Sequence, residues 1–563
     1  MDSLIFKAFN GFGLFSQGNA FQVAVPGMLL GVLFHITIPQ MVVIEYYANP
    51  TFAGFALAVC GLGSAYSVIG FSTLEIVTRI FMLVLFFNIG LFSSMVTYRL
   101  FFHRLRRFPG PVDLSISRFF LVRRVAKYMK YYREIAKLHD EYGDFIRTGP
   151  RELCIIRKSA VPTIYGINTK CLKSTWYGQN NSDSKKSSVI GSRDFDDHRH
   201  RRRAWDRGVS TKALQSYEPR IEALVDKLVS QISHRNGLVD GTAWSTYITF
   251  DIMGEVGLGE DFGCVSNGEE HGALKDLHSH MYILGILNLI PWLLNAAARL
   301  PSSTSGHGSF FSYCYTAVKE RLENFDSEKT PHNILSWLLK AIIDKDISAP
   351  PTKDALNEDS RSLVVAGSDT SSSTLAAALF FLAKSPSVQK KLQAQIDALV
   401  PTSASWDYGK VKPITYIDNI IDETLRLRPS IMSGIYRVTP PEGIQIDEEF
   451  IPGDINVFVP TLRIQTDPRY WKQATEFIPE RFGERFEEME TQGAPYMPFG
   501  SGIYTCAGKN LAVLSLRIII SKLVQQFDIS LAPGETGEKF KNETLDTFTS
   551  TCTPLMLQFS PRK

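Results

Sequence analysis

A glycine-rich turn near the C-terminal end of the chain holds one cysteine directly in front of an apolar helical segment. The turn reads PFGSGIYTCAGKNLA over residues 498–512, with the cysteine at position 506. Unpaired backbone N–H groups and the positive end of the following helix favour a thiolate at such a position. We therefore predict that Cys506 is an activated thiolate. Phe499 precedes it in the turn, and Gly508 after it leaves room for a flat ligand beside the backbone. A lone cysteine is more often a small buried hydrophobe, so the rest of the chain has to decide between the two roles.

A cluster of hydroxyl residues interrupts a long apolar helical pattern. AGSDTSS occupies residues 366–372, between the apolar runs LVVA and LAAALFFLA. Acidic and hydroxyl side chains compete with the helix for backbone hydrogen bonds, so the cluster predicts a locally opened turn. With Gly367, Asp369 and Thr370, that turn would form a polar notch able to hold dioxygen and water. Solvent-facing hydroxyls alone do not explain the apolar flanks.

Charged residues elsewhere fit an ion-pair network and a basic helix. ETLR places Glu423 and Arg426 on one helix face, and FIPERF offers Arg481 as a third member. The basic segment HRHRRRAWDRGVS begins at His198 and contains Arg202. Nucleic-acid binding is the alternative for this segment, but 60 Lys and Arg against 57 Asp and Glu leave a net charge of only +3. We therefore expect no nucleic-acid partner.

In their order along the chain, these segments resemble the cytochrome P450 superfamily of haem-thiolate monooxygenases. The resemblance extends from about Phe108 onward. The resemblance implies the P450 fold, which is mainly α with a minor β-sheet, and haem b as the cofactor. It makes Cys506 the proximal iron ligand, and Asp369 and Thr370 the acid–alcohol pair that guides protons during oxygen activation. The other residues that it assigns are the structural triad of Glu423, Arg426 and Arg481, and the haem-binding residues His198, Arg202, Arg437, Phe499, Tyr504 and Gly508.

The chain departs from the family at one position of the cysteine segment. P450s usually have arginine or histidine two residues before the cysteine, and this chain has Tyr504. A tyrosine can donate a hydrogen bond to a haem propionate but cannot neutralise it. The propionates are therefore expected to rely on His198, Arg202 and Arg437, and the tyrosine is expected to affect haem affinity or potential.

Apolar residues are concentrated in the first hundred positions, which predicts a membrane region over residues 1–100 with two to three transmembrane helices. Thr51–Phe71 and Ile80–Val96 approach the ~20 residues that span a bilayer, and Phe21–Val43 is a weaker third candidate because it holds polar residues and two prolines. A basic and Pro-rich hinge follows over 101–113, and the catalytic domain over 114–563. Positive residues after the last span predict that this domain faces the cytosol, at the endoplasmic reticulum.

Beyond the hinge the hydrophobic pattern is mostly helical. Apolar residues recur at the helical period in Tyr131–His139, Ala213–Ile232, Asp354–Ala383, Ser387–Val400, Tyr416–Leu427 and Asn510–Gln526. Short runs at Cys154–Ile156, Gly443–Ile446 and Ile455–Val459 predict a minor sheet. Seven scattered cysteines without a CxxC pair favour neither a disulfide framework nor a structural zinc site.

The resemblance implies a membrane-anchored monooxygenase that uses O2 and electrons from a separate NADPH–cytochrome P450 reductase. The segments expected at the pocket, Tyr282–Leu294, Ser430–Ile435 and Phe548–Thr553, are apolar with a few hydroxyls, which favours a hydrophobic substrate that partitions into membrane lipid. GPRELCI, CLKSTWYG and RRRAWDRGVS resemble fungal secondary-metabolite hydroxylases of the tryprostatin B hydroxylase-like group, which points to an alkaloid, terpenoid or polyketide hybrid. Oxidative cyclisation or desaturation is the alternative reaction, and a non-catalytic haem sensor is a further alternative.

Overall fold

A group of long apolar helices precedes a larger, mainly helical body. A computed structural model describes residues 20–41, 44–178, 183–279, 281–293, 305–326, 328–401 and 406–562. Residues 1–19 and 42–43 of the predicted membrane region lie outside the described residues, as does Leu294 at the end of one predicted pocket segment.

The apolar helices are α1 (Ala24–Met41), α2 (Ala48–Ile69) and α3 (Thr73–Thr97). Ser72 begins α3 with a capping box, in which its side chain accepts a hydrogen bond from the Glu75 backbone N–H. Among the described residues, two helices are long and apolar enough to cross a membrane by length and composition, and these are Glu45–Ile69 and Thr73–Phe102. They coincide with the two stretches that the sequence predicts as spans. The apolar part of α1, Ala24–Ile38, is shorter.

Helix α1 lies parallel to α3 and contacts its backbone directly. A Cβ atom on Gly31 would lie 2.0 Å from the Phe87 carbonyl oxygen, so only glycine permits this approach. Further along both helices, His35 Nδ1 and Ser94 Oγ are 2.9 Å apart. Because the contact positions rise together in the two helices, α1 and α3 run in the same direction. Small residues allow apolar helices to pack this closely within a bilayer.

The body contains helices of very different lengths. Its N-terminal half has α4 (Val112–Ile116), α5 (Arg118–Val125), α6 (Tyr131–Tyr142), α7 (Ala160–Tyr165), α8 (Thr175–Gly178), α9 (Phe195–Gly208), α10 (Thr211–His234), α11 (Gly241–Met253), α12 (Cys264–Asn267), α13 (Gly272–Ser279), α14 (Met281–Asn288), α15 (Ser305–Glu323) and α16 (Ile334–Ile343). Its C-terminal half has α17 (Lys353–Lys384), α18 (Pro386–Leu399), α19 (Tyr408–Val411), α20 (Tyr416–Leu427), α21 (Thr461–Gln465), α22 (Lys509–Gln526) and α23 (Glu538–Glu543). The helices predicted from periodicity are all confirmed, with ends that differ by a few residues at most.

The strands are short and form small sheets. They are β1 (Phe145–Gly149), β2 (Glu152–Ile155), β3 (Leu172–Lys173), β4 (Leu238–Asp240), β5 (Arg437–Val438), β6 (Ile444–Ile446), β7 (Glu449–Ile451), β8 (Asn456–Phe458), β9 (Phe527–Leu531), β10 (Leu545–Thr547), β11 (Thr549–Thr551) and β12 (Met556–Pro561). The main sheet has the order β1-β2-β8-β5-β3, and β4-β12-β9 forms a second one. In the antiparallel pair of β3 and β5, Lys173 lies opposite Arg437. The minor sheet predicted from the sequence is therefore confirmed.

The segment predicted as a hinge packs against the main sheet. Leu105 and Phe108 are buried in the apolar cluster that covers this sheet. The Arg147 backbone N–H donates to the Pro109 carbonyl oxygen at 2.8 Å, and Arg147 Nη1 donates to the Arg99 carbonyl oxygen at 2.9 Å. These contacts fasten the end of the apolar helices to the body, so residues 103–111 of the segment are non-helical but are not a free linker.

Candidate active site

Cys506 lies in a tight loop between a 3-10 turn, Gly502–Tyr504, and helix α22. Gly502 has a φ of +62°, and a Cβ atom there would lie 2.3 Å from the Tyr165 carbonyl oxygen, so both the backbone angle and the close approach require glycine. The Cys506 N–H donates to the Phe499 carbonyl oxygen at 2.8 Å. This hydrogen bond closes the loop and holds the cysteine in place.

The thiol of Cys506 has a raised pKa in this loop. The residue is accessible on one side, but the surrounding protein withdraws the thiol from bulk water, and this burial raises its pKa above the usual value. The N–H groups of Gly508 and Lys509 and the charge of Arg202 act in the opposite direction and are weaker. In the protein chain by itself desolvation therefore outweighs these donors, and the activated thiolate stays a prediction for the haem-bound protein.

Accessible space borders the cysteine loop and one face of α17. A Cβ atom on Gly508 would meet Cys506 Sγ at an ordinary 3.9 Å, so the backbone beside the sulfur is open. Ala366 is exposed and Thr370 is half-buried, although most of α17 is buried. These two residues are one helical turn apart and form an accessible stripe. The loop and the stripe are places where a ligand can reach residues inside the body.

Helix α17 is continuous through the hydroxyl cluster, so the predicted opened turn is wrong. Thr370 Oγ1 donates to the Ala366 carbonyl oxygen at 2.6 Å, and Thr374 Oγ1 donates to the Thr370 carbonyl oxygen at 2.7 Å. Each hydroxyl bonds one turn back and leaves the helix intact. Gly367 does not belong to a notch, because a Cβ atom there would lie 2.6 Å from Met253 Sδ on α11. Its missing side chain serves the packing of two helices.

Asp369 contacts a histidine that the sequence analysis did not single out. Asp369 Oδ1 lies 3.3 Å from His278 Nε2, and His278 Nδ1 contacts Glu270. Burial disfavours the charged ring, but the hydrogen bonds to Asp369 and Glu270 outweigh it and raise the pKa of His278 to about 10. At neutral pH the ring is therefore an imidazolium between two carboxylates. Asp369 Oδ2 is buried and has no hydrogen-bond partner among the described residues.

The structure brings Glu423, Arg426 and Arg481 together in a fully buried network. Glu423 Oε2 lies 2.7 Å from Arg426 Nε, Glu423 Oε1 lies 3.0 Å from Arg481 Nε, and the three side chains are 0% exposed. Both guanidiniums also donate to backbone carbonyls, which belong to Gln465, Lys472, Gln473, Ala474 and Glu476. Each charge in this network has an opposite charge beside it, so the network needs no ligand.

A second charged cluster surrounds Tyr504. Its ring centroid lies 4.9 Å from the Arg437 guanidinium, 5.1 Å from the Lys173 ammonium and 4.8 Å from the His198 ring. Tyr504 Oη and Arg437 Nε are buried and have no hydrogen-bond partner among the described residues. Burial, helped by the neighbouring cations, lowers the pKa of His198 to about 3, so this ring is neutral at physiological pH. The cluster therefore contains hydrogen-bond donors and positive charge that the protein leaves unpaired.

Arg202 contacts the cysteine loop from α9, and Phe499 belongs to this loop. Arg202 Nη1 donates to the Thr505 carbonyl oxygen at 2.7 Å, and its Nε donates to Asp206 Oδ1 at 2.7 Å. Lys509 Nζ lies 5.6 Å from the centroid of the Phe499 ring. Arg202 thus braces the loop from α9, and its charge already has a partner.

The segments predicted to face a substrate meet close to Thr370. Ser430 Oγ donates to the Thr370 carbonyl oxygen at 2.8 Å. Phe548 stacks on Trp176, with 5.0 Å between the ring centroids and 15° between the planes. The described part of the segment that starts at Tyr282 contributes residues 289, 290, 292 and 293 to the same apolar cluster as Trp176. The Ser430 carbonyl oxygen accepts from the Ser550 N–H at 2.8 Å, so the segment that carries Phe548 passes close to the hydroxyl residues of α17.

A family model for cytochrome P450 matches residues 109–559 of the chain. The chain belongs to the cytochrome P450 family. Cytochrome P450 monooxygenase orf5 of Eupenicillium brefeldianum is 37% identical over 85% of this chain and 96% of its own length. Cytochrome P450 monooxygenase FCK2 of Fusarium pseudograminearum is 31% identical over 95% of this chain and 97% of its own length. Tryprostatin B 6-hydroxylase of Aspergillus fumigatus is 30% identical over 84% of each chain.

The fold of this P450 is also similar to a solved structure. A crystal structure of the cytochrome P450 CYP102L1 superposes with a TM-score of 0.64 at 19% identity, and the match covers 77% of this chain and 95% of the other. The family and the fold together confirm the prediction of a haem-dependent monooxygenase with the P450 architecture.

The residues of this P450 fit a haem. The accessible side of Cys506 offers a sulfur ligand, and the open backbone at Gly508 admits a flat ring. Haem propionates are carboxylates, and the buried Arg437 Nε and Tyr504 Oη are donors without partners. Lys173, which the sequence analysis missed, adds an ammonium to the same cluster. The charges and donors that the protein leaves unpaired are therefore those that the cofactor can pair.

Proposed function

We propose that this P450 is a membrane-anchored monooxygenase that hydroxylates or otherwise oxidises a hydrophobic secondary-metabolite intermediate, with O2 and electrons that come from NADPH. The observation that carries the proposal is an accessible cysteine in a glycine loop, together with an accessible stripe of α17 that holds Thr370 next to Asp369. Haem-thiolate oxidation needs a sulfur ligand together with an acid and a hydroxyl that deliver protons. The named relatives support the same class of reaction.

The protein's part in the mechanism is ligation and proton delivery. When bound, the haem supplies the activation of dioxygen and the oxidation of an unactivated C–H bond. Cys506 Sγ would hold the iron, while the Gly508 and Lys509 N–H groups stabilise its negative charge. Thr370 Oγ1 donates to the Ala366 carbonyl oxygen, and rotation of this hydroxyl would turn its proton towards the accessible stripe. Asp369 would carry the next proton at Oδ2, the oxygen without a partner.

The surroundings of Thr370 favour a rigid, apolar substrate. Phe548 and Trp176 offer stacked aromatic faces, and Ser430 contributes one hydroxyl near the α17 stripe. One relative is named as a hydroxylase of tryprostatin B. These observations support an alkaloid, a terpenoid or a polyketide hybrid as the substrate class.

Comparison of the metabolites of a host with and without this gene tests the reaction, because the intact precursor accumulates without the enzyme. A product that is heavier by one oxygen supports hydroxylation, whereas a product that is lighter by two hydrogens supports cyclisation or desaturation. Cys506→Ser should abolish the product and the thiolate-type spectrum of the reduced carbon monoxide complex. A variant that kept this spectrum would show that another sulfur holds the iron.

Electrons are proposed to come from an NADPH–cytochrome P450 reductase. P450 monooxygenases generally need a redox partner. Lys509 and Arg203 are exposed, and they lie beside the cysteine loop on α22 and α9. Positive side chains there would attract an acidic surface of the reductase. NADPH consumption that requires added reductase, and that falls with rising salt, would support this partner.

Membrane anchoring is proposed to use all three apolar helices. The chain turns at Gly70 between α2 and α3, so these two helices form a hairpin. Tyr46, before α2, donates to the Thr175 carbonyl oxygen of the body, and Arg99, after α3, donates to the Ile116 carbonyl oxygen. Both ends of the hairpin are therefore on the catalytic side of the membrane. Since α1 is parallel to α3, its N-terminal end would lie on the opposite side.

Glycosylation mapping tests this arrangement in endoplasmic reticulum membranes. A long sequon-bearing loop inserted at Gly70, and a second one placed before α1, should both become glycosylated. The natural sequon at Asn542, in the catalytic body, should stay unmodified. Glycosylation at Gly70 alone would reduce the anchor to the hairpin, and extraction of the whole protein by alkaline carbonate would contradict membrane insertion.

A further inference from the structure

The position at which this chain departs from other P450s is surrounded by positive charge from other segments. Tyr504 replaces the usual arginine or histidine before the cysteine. Its ring lies against Lys173, Arg437 and His198, and its Oη is buried with no hydrogen-bond partner among the residues that the structure describes. The tyrosine therefore sits within a cationic cluster although it carries no charge itself.

Lys173 reaches this cluster from a part of the chain far from the cysteine. Strand β3 has only two residues, and its pairing with β5 places Lys173 directly opposite Arg437. The lysine is 4% exposed, and its Nζ donates to the Val189 and Ile190 carbonyl oxygens at 2.8 and 2.9 Å. No carboxylate of the described residues lies within ion-pair distance of Lys173, whereas Arg201 and Arg202 add to the positive charge around it.

Such a lysine is unfavourable for the fold on its own. A buried ammonium without a counter-charge loses its hydration and gains no ion pair in return. In this protein, burial and the cations Arg437, Arg201 and Arg202 lower the pKa of Lys173 well below its usual value, and the attraction of the more distant Asp197 offsets little of this effect. Two carbonyl groups can be satisfied by any N–H donor, so the hydrogen bonds to Val189 and Ile190 explain why the side chain is anchored but not why it is a lysine.

We propose that Lys173 binds a haem propionate, and that it supplies from strand β3 the positive charge that Tyr504 does not supply. The inference rests on the proposed function, in which the haem lies against Cys506. A propionate in this cluster would pair with Lys173 and Arg437 and accept the hydrogen bond from Tyr504 Oη. Tyr504 would then supply the hydrogen bond and Lys173 the positive charge. Together they would replace the arginine or histidine that other P450s usually have two residues before the cysteine.

Glutamine at position 173 separates the two roles of this lysine. Lys173→Gln keeps an N–H donor for the Val189 and Ile190 carbonyl oxygens but removes the charge. In the full-length holoenzyme, this variant should transfer its haem to apomyoglobin roughly tenfold or more faster than the parent, because a charged hydrogen bond is lost. Its reduction potential should also fall, since a cation beside the haem is lost. The matched control is Lys170→Gln, an exposed lysine that pairs with Glu442, and it should change neither quantity.

A charge exchange provides the decisive test. In the double variant Lys173→Gln with Tyr504→Arg, the charge returns to the position that other P450s use, and haem transfer should slow to within about threefold of the parent rate. Tyr504→His serves the same purpose if arginine does not fit beside Arg437. Rescue of the transfer rate and of the potential supports the exchange of roles.

Three outcomes would overturn the inference. Parent-like haem retention in Lys173→Gln means that the charge is not used, and no rescue by either residue at position 504 means that the two positions are not exchangeable. If Lys173→Gln and Lys170→Gln accelerated haem transfer equally, the effect would not depend on the position of the lysine beside Tyr504. Arg437→Ala distinguishes these failures from a failure of the proposed function: if Arg437→Ala also retains haem fully, the haem does not lie in this cluster at all.

Discussion

The body contains two buried charge clusters, and they differ in one respect. In the network of Glu423, Arg426 and Arg481, a carboxylate contacts each guanidinium, and all three side chains are 0% exposed. In the cluster around Tyr504, Lys173 and Arg437 have no carboxylate within ion-pair distance among the described residues. The first cluster, here called the complete network, pairs its guanidiniums with a carboxylate of the protein. The second, here called the incomplete cluster, has no such carboxylate among the described residues.

The difference follows from what buried charge costs. An ion pair in the interior is tolerated because its two charges compensate for lost hydration, whereas an unpaired cation is a net penalty to folding. A protein keeps such a penalty where a ligand later removes it, which is why unpaired buried donors mark binding sites. The proposed function therefore predicts that the complete network serves the fold and that the incomplete cluster serves the cofactor.

The largest effect is expected from breaking the complete network. Glu423→Gln leaves two buried guanidiniums without a carboxylate, and the free energy of unfolding should fall by about 3 to 5 kcal/mol. The thermal unfolding midpoint of the holoenzyme measures the change. Glu488→Gln is the control, because it breaks an exposed pair with Arg485 and should leave the unfolding midpoint nearly unchanged. Similar effects of the two variants would show that burial does not decide the role of this network.

Breaking the incomplete cluster should affect haem more than folding. Arg437→Ala removes a cation that has no ion pair to lose, so the yield of folded protein should stay close to that of the parent. Haem transfer to apomyoglobin should become roughly ten to a hundred times faster, since a charge-assisted hydrogen bond to a propionate is lost. Suppose instead that Arg437→Ala lowered the yield of folded protein but left the haem transfer rate of the folded fraction unchanged. Arg437 would then serve the fold and not haem binding.

The histidine beside Asp369 gives a third and pH-dependent effect. Because the folded state raises the pKa of His278 from 6.5 to about 10, the charged ring stabilises the fold fully below pH 6.5, and this stabilisation disappears as the pH rises towards 10. His278→Gln should therefore lower stability by on the order of 2 kcal/mol at pH 6, after allowance for the partial exposure of the ring, and by much less near pH 10. Unfolding midpoints of both proteins across this range provide the measurement. A gap that stays constant with pH would mean that the ring is not charged in the folded protein.

The sequence predicts those parts of the site that are local along the chain. Glu423 and Arg426 are one helical turn apart, and the glycines around Cys506 mark a turn that only glycine can form. Length and period likewise predict α17 within one residue at each end. Interactions between neighbours in the chain are visible in the chain itself.

Contacts between distant segments cannot be predicted in this way. Lys173 reaches the cluster around Tyr504 through a strand of two residues that pairs with β5, and a run of two residues has no period. His278 reaches Asp369 from α13, and neither residue signals the other in the sequence. The raised pKa of the Cys506 thiol in the chain alone is likewise not visible in the sequence, because the nearby N–H donors are local but desolvation depends on the whole fold.

The smallest effect is expected at Tyr504, where removal of the hydroxyl tests whether charge or hydrogen bonding dominates the incomplete cluster. A phenol supplies one neutral hydrogen bond, worth about 1 kcal/mol, so Tyr504→Phe should accelerate haem transfer by less than about fivefold. Tyr504→Arg adds a charge beside Arg437 and should hold haem at least as well as the parent, provided that a propionate separates the two guanidiniums. The haem-to-protein ratio after purification and dilution measures both variants against Arg437→Ala. If Tyr504→Phe lost haem as fast as Arg437→Ala, the hydroxyl would be a principal anchor, and unpaired charge would not be what distinguishes this cluster from the buried network.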